Sequence, residues 1–180
     1  MNLSKFLLRI AGWKVIISVP DYPKCIICVA PHTSNWDFII GKLAYASVGR
    51  KAGFLMKSSW FFFPLGLIFK AIGGVPVERG KKGYSLVEQL IARFNSTDRL
   101  TLAITPEGTR SRNSNWHTGF LRIAYATDVN IALGAIDFAK KEVTITETYS
   151  PTGDIEEDMK QIKAYYKGFC GKYPEKFSAE

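Results

Sequence analysis

Residues 25–37 read Cys-Ile-Ile-Cys-Val-Ala-Pro-His-Thr-Ser-Asn-Trp-Asp. From Cys25 to Ala30 the run is unbroken and apolar, the pattern of a strand covered on both faces. Thr33, Ser34 and Asn35 then offer side-chain oxygens to the free amides at the start of a helix. The spacing predicts that helix over residues 35–48, closed by Gly49. A buried strand feeding a helix through a short loop is the repeating unit of a layered α/β sheet. It puts His32 just past the carboxyl end of a strand, where open α/β sheets collect their chemistry.

The rest of the chain repeats that alternation. Strands are predicted over residues 15–19, 53–56, 75–77, 100–104, 131–138 and 142–148. Helices are predicted over 60–71 (ended by Gly73 and Gly74), 82–94, 118–126 and 155–169. Phe6, Leu7, Ile10, Trp13 and Ile17 recur at helical spacing and predict a short amphipathic helix at the amino end. The expectation is an α/β fold: a single layered domain over residues 1–180, with a mostly parallel sheet flanked by helices. Its core would span 25–148, with a last helix within 153–170.

Composition narrows the partners. The chain has 180 residues, 47% hydrophobic and 22% charged, which excludes a wholly disordered polymer. Lysine and arginine exceed aspartate and glutamate by 8, which favours phosphate, acidic lipid or nucleic acid as partner. The 13% aromatic share suits a membrane surface at least as well as nucleic acid. The longest apolar run, residues 60–69, is broken by Pro64 and Gly66 and is short of the roughly 20 residues that span a bilayer. Residues 1–17 carry Lys5, Arg9 and Lys14 and lack the form of a secretory signal. Cys25 and Cys28 invite a metal or redox reading, but strand residues three apart point to opposite faces. They are expected as reduced core thiols, which suits the cytoplasm. With only two histidines, His32 and His117, far apart in sequence, no metal site is expected.

Three segments carry candidate chemistry. In the first, a carboxylate at Asp37 can accept a bond from one imidazole nitrogen of His32 and leave the other free to take a proton. The competing reading is a loop histidine serving only to cap a helix. In the second, Thr105-Pro106-Glu107-Gly108-Thr109-Arg110-Ser111-Arg112, backbone N–H groups, hydroxyls and two guanidinium groups offer a phosphate site. Glu107 would there bind an acceptor hydroxyl or hold Arg110; the competing reading is a solvated turn. In the third, Arg79 follows Gly73-Gly74-Val75-Pro76-Val77-Glu78, beside Lys81 and Lys82. It reads as a second phosphate contact or as an exposed strand end.

Taken in series, the three segments resemble the glycerolipid acyltransferase family, best known for the 1-acyl-sn-glycerol-3-phosphate acyltransferases. His32 and Asp37 match the family's His and Asp separated by four residues. Gly74 and Arg79 match the block that ends in an arginine after a Gly-rich strand. Pro106, Glu107, Gly108, Thr109, Arg110 and Ser111 match the Pro-Glu-Gly-Thr-Arg-Ser run. The resemblance covers residues 31–138. Lys57 resembles a family lysine that faces the site. His117 stands where members usually carry a lysine, and the segment 130–134 lacks the proline of the family's fourth block.

The resemblance implies an O-acyltransferase with His32 as general base and Asp37 as its partner. It implies acyl-CoA or acyl-carrier protein as co-substrate, no cofactor, and a lysophospholipid acceptor such as 1-acyl-glycerol-3-phosphate. Lys57, Arg79, Glu107, Gly108, Thr109, Arg110 and Ser111 would bind substrate, Arg112 joining the phosphate clamp. It also gives residues 1–20 and 60–69 a role in docking on anionic lipid, at the cytoplasmic face of a membrane. The alternative for 60–69 is packing against the sheet. A lyso-aminolipid acceptor stays open within the family. A nucleic-acid or lipid-binding module is the distant rival, since no nucleic-acid motif is present and the basic residues are scattered. A serine hydrolase lacks its G-x-S-x-G elbow.

Overall fold

The computed structural model describes residues 2–78 and 85–180. Among them, β1 (Lys14–Ile17), β2 (Lys24–Ala30), β3 (Gly53–Lys57), β4 (Gly74–Val77), β5 (Leu100–Ile104), β6 (Asn130–Asp137) and β7 (Glu142–Tyr149) form one sheet. Its order is β1-β7-β6-β2-β5-β3-β4. The run from β6 through β2, β5 and β3 to β4 is parallel, and β6 meets β7 antiparallel. The predicted α/β architecture with a mostly parallel sheet is therefore the observed one.

Among the described residues six helices cover the sheet: α1 (Leu3–Ile10), α2 (Asn35–Ser47), α3 (Leu65–Ala71), α4 (Leu86–Asn95), α5 (Gly119–Thr127) and α6 (Ile155–Tyr166). Crossovers stepping from β2 to β3 to β4 run one way along the sheet, and those from β4 to β5 to β6 run back. Right-handed connection then sends their helices to opposite faces. One face packs Ile26, Cys28, Leu102 and Ile131 under Leu90, Phe94, Phe120, Leu121, Ile162 and Tyr166 of α4, α5 and α6. The other packs Leu8 of α1 and Ile40 and Ala44 of α2 over Ile136 and Val143. Asn2 ties α1 to α2: its Oδ1 accepts from the Lys5 N–H, and its Nδ2 donates to the carbonyls of Ala46 and Ser47. One side chain thus meets the unpaired groups at two helix ends.

Three predicted helices are corrected. The segment 60–71 is not one helix. A 3-10 turn at Ser58–Trp60 is followed by an irregular stretch, and α3 begins only at Leu65. Pro64 has no N–H to donate and disfavours helical backbone at Phe63. At the amino end, Trp13 and Ile17 do not continue α1. Gly12, at φ +76°, turns the chain out of the helix. Trp13 then packs edge-on against Phe138, 5.0 Å between ring centres, and Ile17 pairs with Ile145 of β7. Sheet pairing overrides the helical spacing. The last helix ends at Tyr166, short of the expected 169. The start of the helix expected over 82–94 lies partly outside the described residues; α4 is capped by Ser85, whose Oγ accepts from Glu88 N–H.

Cys25 and Cys28 do face opposite sides of β2, each in a different core cluster. Burial pushes the Cys25 thiol up to about 11 and the Cys28 thiol up to about 12. Neither should react with a thiol-disulfide reagent in the native protein at neutral pH, and both should react in denaturant. Labelling followed by peptide mass analysis reads this directly.

Candidate active site

The parallel strands bring the carboxyl ends of β2, β5, β3 and β4 to one edge of the sheet. Residues pair Ala30 with Ala135, Cys28 with Ile104, and Lys57 with Val77 across that edge. The loop after β2 carries His32, and the loop after β5 carries Glu107 to Arg112. Segments far apart in sequence therefore meet because strand order, not chain order, sets their distance.

Asp37 anchors the first loop. Ser34 is the N-cap of α2, and Asp37 sits in the first helical turn, completing a capping box. Its Oδ2 accepts from the N–H groups of Thr33 (2.7 Å) and Ser34 (2.8 Å), and its Oδ1 from the Ser34 hydroxyl (2.9 Å). The same Oδ2 lies 3.3 Å from Nδ1 of His32, with the ring turned off ideal hydrogen-bond alignment. Burial pushes the Asp37 carboxyl up, but the adjacent His32 imidazole and the bonds from Ser34 and Thr33 outweigh it and hold it below its ordinary value. The result is a buried, ionised carboxylate beside one nitrogen of an imidazole. The His32 side chain keeps 14% of its surface exposed, against 1% for Asp37. The arrangement can orient the ring and stabilise its cation.

Glu107 lies beneath His32, not out in the basic loop. It is 0% exposed. Its Oε1 accepts from the His32 backbone N–H at 2.6 Å, and its Oε2 has no partner among the described residues. Burial pushes its carboxyl up to about 8, the His32 N–H pulls the other way, and the charge of Asp37 adds to the rise. At neutral pH this side chain is therefore mostly a neutral acid. Its partner among the described residues is the His32 backbone N–H, not the Arg110 guanidinium considered from the sequence.

Around it the loop is held by its own polar groups. Asn113 donates through Nδ2 to the carbonyls of Glu107 (2.9 Å) and Asn115 (3.0 Å), and His117 N–H donates to Pro106 (2.8 Å). Gly108 has φ +66°, which favours glycine, and a Cβ there would lie 2.4 Å from the exposed His117 ring, which would have to swing aside. The Thr109 hydroxyl accepts from Ser111 N–H at 3.2 Å. Gly108, Thr109, Arg110 and Ser111 are all exposed at the edge. Arg110 makes no ion pair or hydrogen bond with the described residues, whereas Arg112 pairs with Glu180 at 3.5 Å. Lys57 is exposed at the end of β3. Arg79, Lys81 and Lys82 lie outside the described residues.

Sequence reasoning took Thr33 for a helix-capping side chain and missed its tie to the segment 170–180; the cap itself is Ser34. Thr33 is 2% exposed and sends its N–H to Asp37, while its hydroxyl accepts from Tyr173 N–H at 3.2 Å. Nothing in local spacing signals that second contact, because it joins residues 140 apart.

A family model named Acyltransferase matches residues 18–134. The chain belongs to the acyltransferase family. The match contains β2, β5 and both site loops. Among solved structures, the chain is similar to the 1-acyl-sn-glycerophosphate (LPA) acyltransferase PlsC from Thermotoga maritima. The TM-score is 0.61 at 19% identity, over 91% of this chain and 73% of that one. No curated protein sequence matches. At that identity the structural likeness is one of fold: the same α/β architecture carries the acyltransferase loops here.

The Glu107 geometry gives a signed pH prediction. Between 4.5, its ordinary value, and about 8, the folded chain holds more proton than the unfolded chain. Stability from this group is thus full at the acid end and declines as pH rises through that window. Glu107→Gln cannot ionise, so its stability relative to wild type should improve from the acid to the alkaline end. Denaturant midpoints on either side of the window check this; a constant difference refutes it. Glu107→Ala, which orphans the His32 N–H, should cost about 1–3 kcal/mol.

Proposed function

We propose that this acyltransferase-family protein transfers a fatty acyl group from a thioester, on coenzyme A or on acyl-carrier protein, to the hydroxyl of a lysophospholipid. The observation that carries the reading is the His32–Asp37 pair, 3.3 Å apart, standing at the same sheet edge as the exposed Arg110. With Nδ1 of His32 turned to Asp37, Nε2 is the nitrogen left to accept the proton of the acceptor hydroxyl. The oxygen so activated attacks the thioester carbonyl carbon. The C–S bond then breaks, and the departing thiolate takes the proton back from the imidazolium. Asp37 stabilises that cation between the two steps. The thioester is already activated, so no covalent enzyme intermediate is required. General-base assistance contributes about 10²–10⁴-fold, and the rest falls to positioning and to stabilising the oxyanion.

Arg110 and Arg79 are the proposed clamp for the acceptor phosphate, Lys57 and the Thr109 and Ser111 hydroxyls joining it from the same edge. Gly108 lets the backbone approach. The likeness to the solved LPA acyltransferase PlsC supports a phosphate-bearing acceptor. His117 stands where members of the family usually carry a lysine, so the loop lacks one permanent cation, which favours a second reading in which the acceptor is a lysolipid without phosphate.

For the membrane, the side of the sheet that carries α1, α2 and α3 exposes a set of large apolar groups. Ile10, Trp36, Phe62, Phe63 and Leu67 are all more than half exposed, Phe63 at 83%. No helix among the described residues is long and apolar enough to cross a bilayer. The proposed mode is therefore docking of this face on an anionic lipid surface, at the cytoplasmic side, assisted by the net charge of +8.

Three variants test the reading. His32→Ala should abolish thiol release from palmitoyl-CoA or palmitoyl-carrier protein in the presence of lysophosphatidic acid while the fold persists by circular dichroism; full activity refutes the mechanism. Arg110→Ala should raise KM for lysophosphatidic acid about tenfold, the value of one charged hydrogen bond, and leave KM for a lyso-aminolipid unchanged. Phe63→Glu should weaken co-sedimentation with vesicles containing anionic lipid without altering the melting temperature.

A further inference from the structure

Beyond the last helix the chain does not leave the molecule. It runs back across the sheet edge that holds the candidate site, in a segment outside the residues that the family model matches. Cys170 accepts at its carbonyl from Phe138 N–H at 2.8 Å, just past the end of β6. Gly171 then presses on the first site loop so closely that a Cβ would lie 2.8 Å from Thr33 Cγ2, 2.9 Å from Thr33 Oγ1 and 3.1 Å from Pro31 Cβ. Tyr173 N–H donates to the Thr33 hydroxyl at 3.2 Å.

Farther along, the same segment grips the second loop. Trp116 Nε1 donates to the Ser178 carbonyl at 2.9 Å, a buried bond, and the Trp116 ring stands 6.1 Å from that of Phe177. Arg112 reaches Glu180, and Lys163 of α6 joins the carbonyls of Ser114 and Glu180. Ser178 and Ala179 are 4% and 7% exposed, so the end of the segment is packed as core, while residues 173–175 between the two grips are exposed.

We propose that the segment 170–180 is a strap that fixes the loop after β2 against the loop after β5, with Thr33 as the positioning residue through which it holds Asp37 and thereby His32. Thr33 is the link because its two ends serve different partners. Its N–H is bonded to Asp37 Oδ2, the oxygen that faces His32, and its hydroxyl is bonded to the strap. The strap touches no atom that reacts. Its effect is on the angle and distance between His32 and Asp37, where a displacement near 1 Å can cost about 100-fold in rate. This inference rests on the acyl-transfer reading for its kinetic consequence, but its structural consequence stands without it.

The experiment compares wild type with Thr33→Val, Thr33→Ser, Gly171→Ala and Trp116→Phe, in the full chain. Thr33→Val keeps the shape and removes the acceptor for Tyr173 N–H; Thr33→Ser keeps the acceptor. Gly171→Ala pushes the strap off the loop without altering any group of the site. Expected are a drop in kcat of about 10- to 100-fold for Thr33→Val and Gly171→Ala, KM values within about twofold, and rescue in Thr33→Ser. Trp116→Phe, at the far end, should show the same kcat-only loss more weakly. Unchanged kcat in both Thr33→Val and Gly171→Ala overturns the proposal. So does a loss in Thr33→Ser equal to that in Thr33→Val, or a kcat loss that vanishes when assayed well below the melting temperature. The second readout needs no turnover: the histidine resonance lost in His32→Ala marks His32, and its Nδ1 chemical shift should move in Thr33→Val and Gly171→Ala but not in Thr33→Ser. Moved shifts with an inactive wild type would remove the acyl-transfer reading and keep the strap; unmoved shifts would remove the strap.

Discussion

A single hydrogen bond, 2.6 Å from the His32 N–H to Glu107, joins the two loops on which the site is built. Its acceptor is wholly buried, and one carboxyl oxygen has no other partner among the described residues. Ionised, such a group would be costly to bury. Held largely neutral by desolvation, it becomes a tolerable buried acceptor that keeps the backbone of His32 in place. The neighbouring carboxylate follows the opposite rule. Asp37 is equally buried but collects donors from Thr33 and Ser34, has the His32 imidazole 3.3 Å away, and so stays ionised. Two acids at one sheet edge are driven to different protonation states by what surrounds them, a division of the kind from which acid-base assignments are read.

The same economy runs through the helix that follows. Asp37 caps α2 and orients His32 with one carboxylate, so a change that harms the cap would also harm the ring. Gly108 adopts a positive φ and leaves room for the exposed His117 ring. Function is therefore not laid over a finished scaffold. The groups that terminate strands and start helices are the groups that face the candidate substrate, and the strap from residues beyond α6 braces them from outside.

The two sides of the sheet have separate tasks. Under α4, α5 and α6 the core is dense and built from large buried side chains such as Phe94, Leu121 and Tyr166. The Tyr166 hydroxyl donates to the Cys28 carbonyl at 2.6 Å, pinning α6 to β2 itself. On the α1, α2 and α3 side the outer surface stays apolar, and that asymmetry is what gives the lipid-docking proposal its direction. Phe62 and Phe63 stand exposed in the irregular stretch before α3, where a continuous helix was expected.

The sequence by itself determined the alternation of strand and helix, the capping run Thr33-Ser34-Asn35 ahead of α2, and the pairing of His32 with Asp37. Each depends on residues within a few positions of one another, where propensity and spacing act directly. It also marked Glu107 and Arg110 as one loop. Only the tertiary structure decided that Glu107 turns inward to the His32 backbone while Arg110 stays outside, because burial at the β2–β5 junction is a property of strand order. It likewise decided that Trp13 and Ile17 leave their helical spacing for Phe138 and β7. The contact of Thr33 with Tyr173 belongs to the same class: it joins residues 140 apart, and only the path of the chain across the sheet edge brings them together.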